Sequence, residues 1–379
     1  MIDLHSPLIK KDAINYLKKC VKSGWVSTGG NFIDQFERKI SNITGSKYAI
    51  ACNSGTSALH LSLKLAGVKS GDEVIAPTLT FVASINAILY NSCSPIFMDS
   101  DDFYNIDTNK TIEFLKKNPI KKKNFCYNKK TKKKISAILI THVWGNAANL
   151  NKLLKECKKR KINIIEDASE SLGTRYKKNN KHTGTLGLLG TLSFNANKII
   201  TTGSGGMILT NNYKLAQKAK YLTTQAKDDP IYFVHNNVGY NYRMSNISAA
   251  LGLSQLKQLK YFLKKKKIIR EFYLSKISKI QNLELAKTPE YSKNNNWLNI
   301  LKINDKFKFS RNQLIKIMLK NKISVRPVWK LNHLQKPFKN FQQYKIKNAN
   351  KLVKSSLCLP SSPSLTKKQL KKIFLKLNA

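Results

Sequence analysis

No stretch of the sequence approaches the ~18 consecutive apolar residues of a membrane span. Membrane insertion is therefore not expected. Met1 to Trp25 has no compact apolar core followed by a small-residue cleavage site, so it is not expected to act as a signal peptide. Cysteine is sparse and scattered. The six residues, Cys20, Cys52, Cys93, Cys126, Cys157 and Cys358, include no C-x-x-C pair. That spacing argues against a disulfide framework or a metal centre, and fits a reducing cytoplasm. Repeats and low-complexity linkers are missing too.

Acidic residues are few: 21 Asp and Glu against 68 Lys and Arg, for a net charge of +47. Such a balance invites a nucleic-acid reading. Arginine is scarce, however: seven residues, against 61 lysines. Asn and Ile are abundant as well, and all three share A/T-rich codons, so a biased genome accounts for the excess. The charge is also spread along the whole chain. Lys121–Lys123, Lys129–Lys130 and Lys132–Lys134 flank an insertion-like segment, Asn124–Asn128, which is expected to be a solvated loop. Lys264–Lys267 falls in a helical pattern and is expected on its wet face. No nucleic-acid partner is expected; the field would attract a small anionic substrate such as a nucleotide.

What is present is an alternation. Short β-type runs at Tyr48–Ala51, Glu73–Pro77, Pro95–Asp99, Ile135–Ile140 and Ile162–Asp167 are separated by helical patterns, as at Phe81–Leu89 and Leu150–Lys159. That order predicts an α/β domain with a large, mixed but mostly parallel buried sheet, over residues 1–255. One long helix over Leu251–Lys267 leaves it. A smaller α+β domain follows over 256–379, with strands at Trp297–Ile303 and Ile323–Val328 and helices at Arg311–Lys320 and Lys367–Leu377. Ligands of parallel sheets bind beyond the carboxyl ends of the strands. Ser54–Ser57, Thr80–Phe81, Asp99, His142–Asn146 and Asp167 fall there.

Four of these features carry chemistry. Asn53-Ser54-Gly55-Thr56-Ser57 is a strand-to-helix turn, either a phosphate site or an ordinary N-cap. Asp167 ends an apolar strand. It needs a partner, either a protonated pyridine nitrogen or a structural cation or cap. Phe81 stacks on a flat ring or belongs to the core. Lys198 precedes Thr201-Thr202-Gly203-Ser204-Gly205-Gly206, a setting that suits an amine forming a Schiff base with a carbonyl cofactor. The four in this order are more specific than any one of them.

With Gly239-Tyr240-Asn241-Tyr242-Arg243-Met244-Ser245-Asn246-Ile247, these segments resemble the pyridoxal-phosphate-dependent sugar aminotransferases of the DegT/DnrJ/EryC1/StrS family. The resemblance covers essentially the whole chain. It implies the type I fold of pyridoxal-phosphate enzymes and pyridoxal 5'-phosphate as cofactor, with no metal. Gly55, Thr56 and Ser193 would bind its phosphate, with Ser57 nearby. Phe81 would stack on the ring, Asp167 would meet the ring nitrogen, and Lys198 would hold the cofactor covalently. Glu170 stands where many members carry Gln or His near the ring hydroxyl. The resemblance also implies a homodimer in which Asn241 reaches the partner's cofactor phosphate. Lys198 argues against the family's dehydratase branch, which has His there.

Thr141–Asn146, Tyr221–Asp229 and Arg326–Lys336 further resemble the LegC-like branch. It implies glutamate-dependent amination of C4 of UDP-2-acetamido-2,6-dideoxy-4-keto-hexose, a step toward bacillosamine- or legionaminic-type sugars. A dTDP- or GDP-keto-sugar is the alternative substrate. Thr28, Trp329 and His333 are candidate sugar-nucleotide contacts, with a plain structural role open for His333. Arg243 and Arg326 are candidates for a carboxylate or diphosphate, or for the dimer contact.

Overall fold

A central sheet of eight strands organises the computed structural model, which describes residues 1–122 and 125–378. Across the sheet the strands run Tyr48–Cys52, Gly206–Thr210, Leu189–Ser193, Asn163–Asp167, Ile135–Thr141, Glu73–Pro77, Ser94–Met98 and Gln343–Tyr344. Gly206–Thr210 runs against both of its neighbours. Every other pairing in this sheet is parallel.

The apolar runs explain the burial. Side chains alternate across a strand, so a strand covered on both faces is apolar throughout. In Ile135–Thr141, Ala137 and Leu139 join one apolar cluster while Ile138 and Ile140 join another. Ile164 and Ile165 divide in the same way. Glu166 and Asp167 follow in that alternation, which sends two consecutive acids to opposite faces.

A second sheet is antiparallel, with Leu283–Leu285, Asn299–Ile303, Ser356–Leu359 and Arg326–Pro327 in that order. Helices Leu259–Ile277, Arg311–Lys320 and Lys367–Asn378 enclose its core, which includes Ile269, Tyr273, Leu314 and Ile373. The N-terminus and an internal segment near residue 343 cross between the sheets. Ile2 pairs with Ile323 and joins the smaller core, while Gln343–Tyr344 adds an edge to the large sheet.

Several expectations need correction. The long helix over Leu251–Lys267 is two helices, Asn246–Lys257 and Leu259–Ile277, meeting at Gln258. No Pro or Gly stands at the junction to mark it in the sequence. Lys266 is not on a wet face but fully buried. It shares the helical stripe of Leu259, Phe262, Ile269 and Tyr273, one or two turns apart. Lys123 and Asn124 lie outside the described residues. The rest of the expected loop is a strand, Phe125–Asn128, paired with Pro119–Lys122, with Cys126 and Asn128 turned inward. The Ile323–Val328 strand is reduced to Arg326–Pro327.

Glu166 shows how the large sheet is pinned beside its carboxyl edge. Its carboxylate accepts from His142 Nε2 at 2.8 Å, Gly184 N at 2.9 Å and Leu186 N at 2.6 Å, and from Gly187 N as well. His142 Nδ1 accepts from Ala148 N, so Nε2 carries the proton given to Glu166. Burial alone would raise the Glu166 pKa, but His142 and the Gly187 and Gly184 N–H groups outweigh it and hold it below the usual carboxylate value. A lowered folded pKa stabilises the fold above the unfolded value, and that stability is lost as pH falls through the folded one. Glu166→Ala should cost about 3–5 kcal/mol in urea unfolding, because it strands four donors, two buried and two half-buried. The deficit should shrink on acidification; a loss below about 1 kcal/mol at neutral pH would contradict this role.

Candidate active site

A cavity of about 600 Å³ opens at the carboxyl ends of the parallel strands. Its size is in the range for a cofactor or small-molecule site. Gly55, Thr56, Phe81, Asp167, Glu170, Ser193, Lys198 and Trp329 all line it. The fold thus brings together eight residues selected from segments up to 274 positions apart in sequence.

The first wall is the start of helix Gly55–Leu65. Ser54 caps it, its side chain accepting from Ser57 N at 3.0 Å. The helix packs tightly on the sheet: a Cβ on Gly55 would come 2.7 Å from Ser193 Cβ, and one on Gly206 would come 2.2 Å from Ser54 O. Only glycine fits at either place. Backbone N–H groups at the helix start, with the Thr56 and Ser193 side chains, line the cavity where they could hold an anion. Ser57 does not line the cavity; its hydroxyl donates to Asn53 Oδ1 at 2.7 Å.

Asp167 sits at the end of its strand, 5% exposed. Ser84 Oγ donates to its Oδ2 at 2.7 Å, and Ser169 N donates to Oδ1 at 3.1 Å. Thus the carboxylate is oriented without a cationic partner among the described residues. Phe81 is the N-cap residue of helix Val82–Tyr90 and is half exposed at the cavity.

Lys198 reaches back toward two groups. Its Nζ lies 3.5 Å from Glu170 Oε1 and 4.4 Å from the ring centroid of Trp297. Glu170 Oε2 accepts from Trp144 N at 2.9 Å. Burial pushes the Glu170 carboxyl up to about 7, against the pull of Lys198 and the Trp144 N–H and with help from Asp167. Trp144 itself holds a left-handed backbone, φ 58°, unusual for a bulky residue and placed at the cavity wall. It stacks beside Trp297 at 6.0 Å and touches Trp329 at 4.2 Å; Trp329 in turn meets Phe81 at 5.8 Å. Four aromatic side chains therefore line one side of the site.

Other candidates lie elsewhere. His333 is buried outside the cavity, bonded through Nδ1 to Thr78 Oγ1 at 2.6 Å and tilted against Phe97, which is a structural placement. Thr28 is exposed and away from the cavity. Asp99 is also structural: it pairs with Lys110 at 2.5 Å and accepts from the N–H groups of Lys347, Asn348 and Ala349. Arg326 lines the cavity; the Arg243 backbone forms an isolated antiparallel β-bridge with Cys52, and Arg243 does not line the cavity. The Asn241 side chain is exposed, while its carbonyl accepts from Asn53 Nδ2 at 3.0 Å, next to the phosphate-type turn.

Trp144, Trp297, Ser84 and Ser169 carry no local motif that selects them. Trp144 stood in a segment matched by resemblance, and four tryptophans in 379 residues make each a candidate, yet nothing in the sequence pairs them.

The Glu170 pKa predicts a pH effect. A carboxyl with a raised folded pKa favours the fold when protonated and costs stability once ionised. In cofactor-free protein, the stability of wild type relative to Glu170→Gln should fall as pH rises from about 4.5 to about 7 and level off above. The change should be on the order of 3 kcal/mol by urea unfolding. A flat difference across that window would contradict the assignment.

Known proteins resemble this chain along almost its whole length. The profile of the DegT/DnrJ/EryC1/StrS aminotransferase family matches residues 7–378. The chain is 32% identical to the GDP-perosamine synthase of Caulobacter vibrioides, over all of this chain and 97% of that protein. It is 30% identical to the UDP-4-amino-4,6-dideoxy-N-acetyl-beta-L-altrosamine transaminase of Campylobacter jejuni, over 98% of this chain and 95% of that one. Among solved structures, Helicobacter pylori PseC, an aminotransferase involved in the biosynthesis of pseudoaminic acid, superposes with a TM-score of 0.89 at 24% identity. That match covers 99% of this chain and 98% of the other.

Proposed function

The chain belongs to the DegT/DnrJ/EryC1/StrS aminotransferase family, and we propose on that footing that it transfers an amino group from glutamate to C4 of a UDP-linked 4-keto-6-deoxy-N-acetylhexosamine. It is a pyridoxal-phosphate-dependent nucleotide-sugar aminotransferase. The observation that carries the chemistry is the convergence of Lys198, Asp167 and the Gly55 helix start on one cavity.

The residues fit the cofactor. The helix start with Thr56 and Ser193 offers donors for a phosphate, in a cradle that a Cβ at Gly55 or Gly206 would fill. Asp167, held by Ser84 and Ser169, offers a fixed carboxylate for a ring N–H. Phe81 offers an aromatic face and Lys198 the amine. When bound, the cofactor supplies an electron sink for the carbon that loses its proton. Asp167 would hold the proton on the ring nitrogen. The Lys198 amine would take the proton from the donor's α-carbon and deliver one to the sugar carbon. Glu170 lies within reach of that amine to balance its charge. The apolar walls, including Leu4, Trp144 and Leu298, exclude water from the amine.

Trp329 and Arg326 would face the sugar nucleotide, the latter its diphosphate. Asn241, exposed on one chain, would reach the cofactor phosphate of a second copy in a homodimer. The expected compartment is the cytoplasm, supported by six free buried thiols; no helix among the described residues is long and apolar enough to cross a membrane. A GDP-linked 4-keto-6-deoxy sugar is a second reading, favoured by the resemblance to GDP-perosamine synthase.

Purified Lys198→Ala should lack the visible absorbance of lysine-bound cofactor. Retained wild-type absorbance would sink the role of Lys198. Asp167→Asn should bind cofactor yet turn over roughly a hundredfold more slowly; wild-type rates would refute the electron-sink role. Glutamate-dependent 2-oxoglutarate release, measured with UDP-, GDP- and dTDP-linked 4-keto-6-deoxy sugars, separates the substrate readings. The highest kcat/KM is expected with the UDP-N-acetyl sugar, and a higher value with GDP would replace it.

A further inference from the structure

Lys266 is the most deeply buried lysine described, and the chemistry set out above does not use it. It is 0% exposed and has no acidic partner among the described residues. Its amine is nevertheless matched: Nζ lies 2.9 Å from Trp297 O, 2.8 Å from Ser361 O and 2.8 Å from His5 Nε2. The amine donates to two carbonyls and pairs with an imidazole nitrogen whose role is set by the histidine tautomer, so it finds one partner from each of three distant segments. Burying such a group costs several kcal/mol unless every donor is satisfied. An apolar residue would fill the stripe at lower cost, so the arrangement needs a reason beyond packing.

Trp297 supplies one. Its indole Nε1 donates to Asn197 O at 2.7 Å, one residue before Lys198. Its ring lies 4.4 Å from Lys198 Nζ. Trp297 therefore holds the chain beside Lys198 and the amine at the end of its side chain. Lys266 in turn holds the Trp297 backbone, and ties it to the segment ending in Ser361 and to His5, the neighbour of the cavity-lining Leu4.

We propose that Trp297 is a positioning residue for the Lys198 amine, and that Lys266 is the buried anchor that sets Trp297. The ring face stabilises the charged amine and limits its excursions. The anchor fixes the ring and draws the N-terminal segment against the same wall. The groups around the amine are Glu170 and Asp167 from the sheet side, and His5 and Lys266 from behind Trp297. The proposal rests on Lys198 being the reactive amine for its meaning in catalysis, but the contact itself can be read without cofactor.

The test is acylation of cofactor-free protein at fixed pH, with the rate at Lys198 read by peptide mass spectrometry against exposed Lys178 and Lys158 as internal standards. Trp297→Leu should raise the Lys198 rate about three- to tenfold, the range of a partly desolvated cation–aromatic contact. Trp297→Phe, which keeps a ring, should stay within about twofold of wild type. A rise of the same size in both Trp297 variants, or in neither, would overturn the positioning role. Lys266→Met should also raise the Lys198 rate although the indole is intact. Where that variant does not fold, His5→Ala, which removes one of the three partners of Lys266, should give the same direction. An unchanged Lys198 rate in a folded anchor variant would overturn the anchor. If the ring effect appears but the borohydride-fixed cofactor maps to another lysine, the contact stands and the catalytic reading of Lys198 fails.

Discussion

The site depends on two consecutive acids at the carboxyl end of one buried strand. Strand alternation sends Glu166 to one face and Asp167 to the other. Glu166 gathers a histidine and three backbone N–H groups, which fixes the loops around Gly184 and Ala148. Asp167, so supported, faces the cavity with both oxygens oriented by hydroxyl and backbone donors. A slip of one residue in this strand would exchange the two acids and destroy both arrangements. Neighbouring parallel strands on both sides hold the register.

Around that strand the protein sorts positive and negative ends of the cofactor site. The N-terminus of the Gly55 helix lies on one side, placed to meet an anion, and the Asp167 carboxylate lies on another. Lys198 sits between a carboxyl and an indole ring. The environment thus offers three differently charged settings within a single cavity, which under the proposed function would hold a phosphate, hold a ring proton and move a proton at an amine. The +47 net charge adds a background field that favours anionic substrates, and none of the local arrangements needs it.

Much of this was legible in the sequence because it is written locally. Apolar runs of five to seven residues gave the parallel strands, and the turn chemistry of Ser54-Gly55-Thr56 gave the helix start. Asp167 was visible as an acid closing an apolar run. What stayed hidden is tertiary. Lys266 looked like one more surface lysine, because its burial depends on which turn of its helix meets the smaller sheet. His333 and Thr28 were substrate-contact candidates without a local motif behind them, and neither lines the cavity. The Trp144–Trp297 wall joins residues from two different segments, and only the docking of the second sheet brings them together. The break at Gln258 has no local signal at all.

Membership in the family makes the reaction class firm, and the unresolved step is which lysine does the work in this particular chain, among 61. The most direct measurement is reduction of the holoenzyme with borohydride, followed by peptide mapping of the lysine that retains the cofactor. The account predicts a single modified peptide containing Lys198. Cofactor fixed on any other lysine, with Lys198 unmodified, would contradict it.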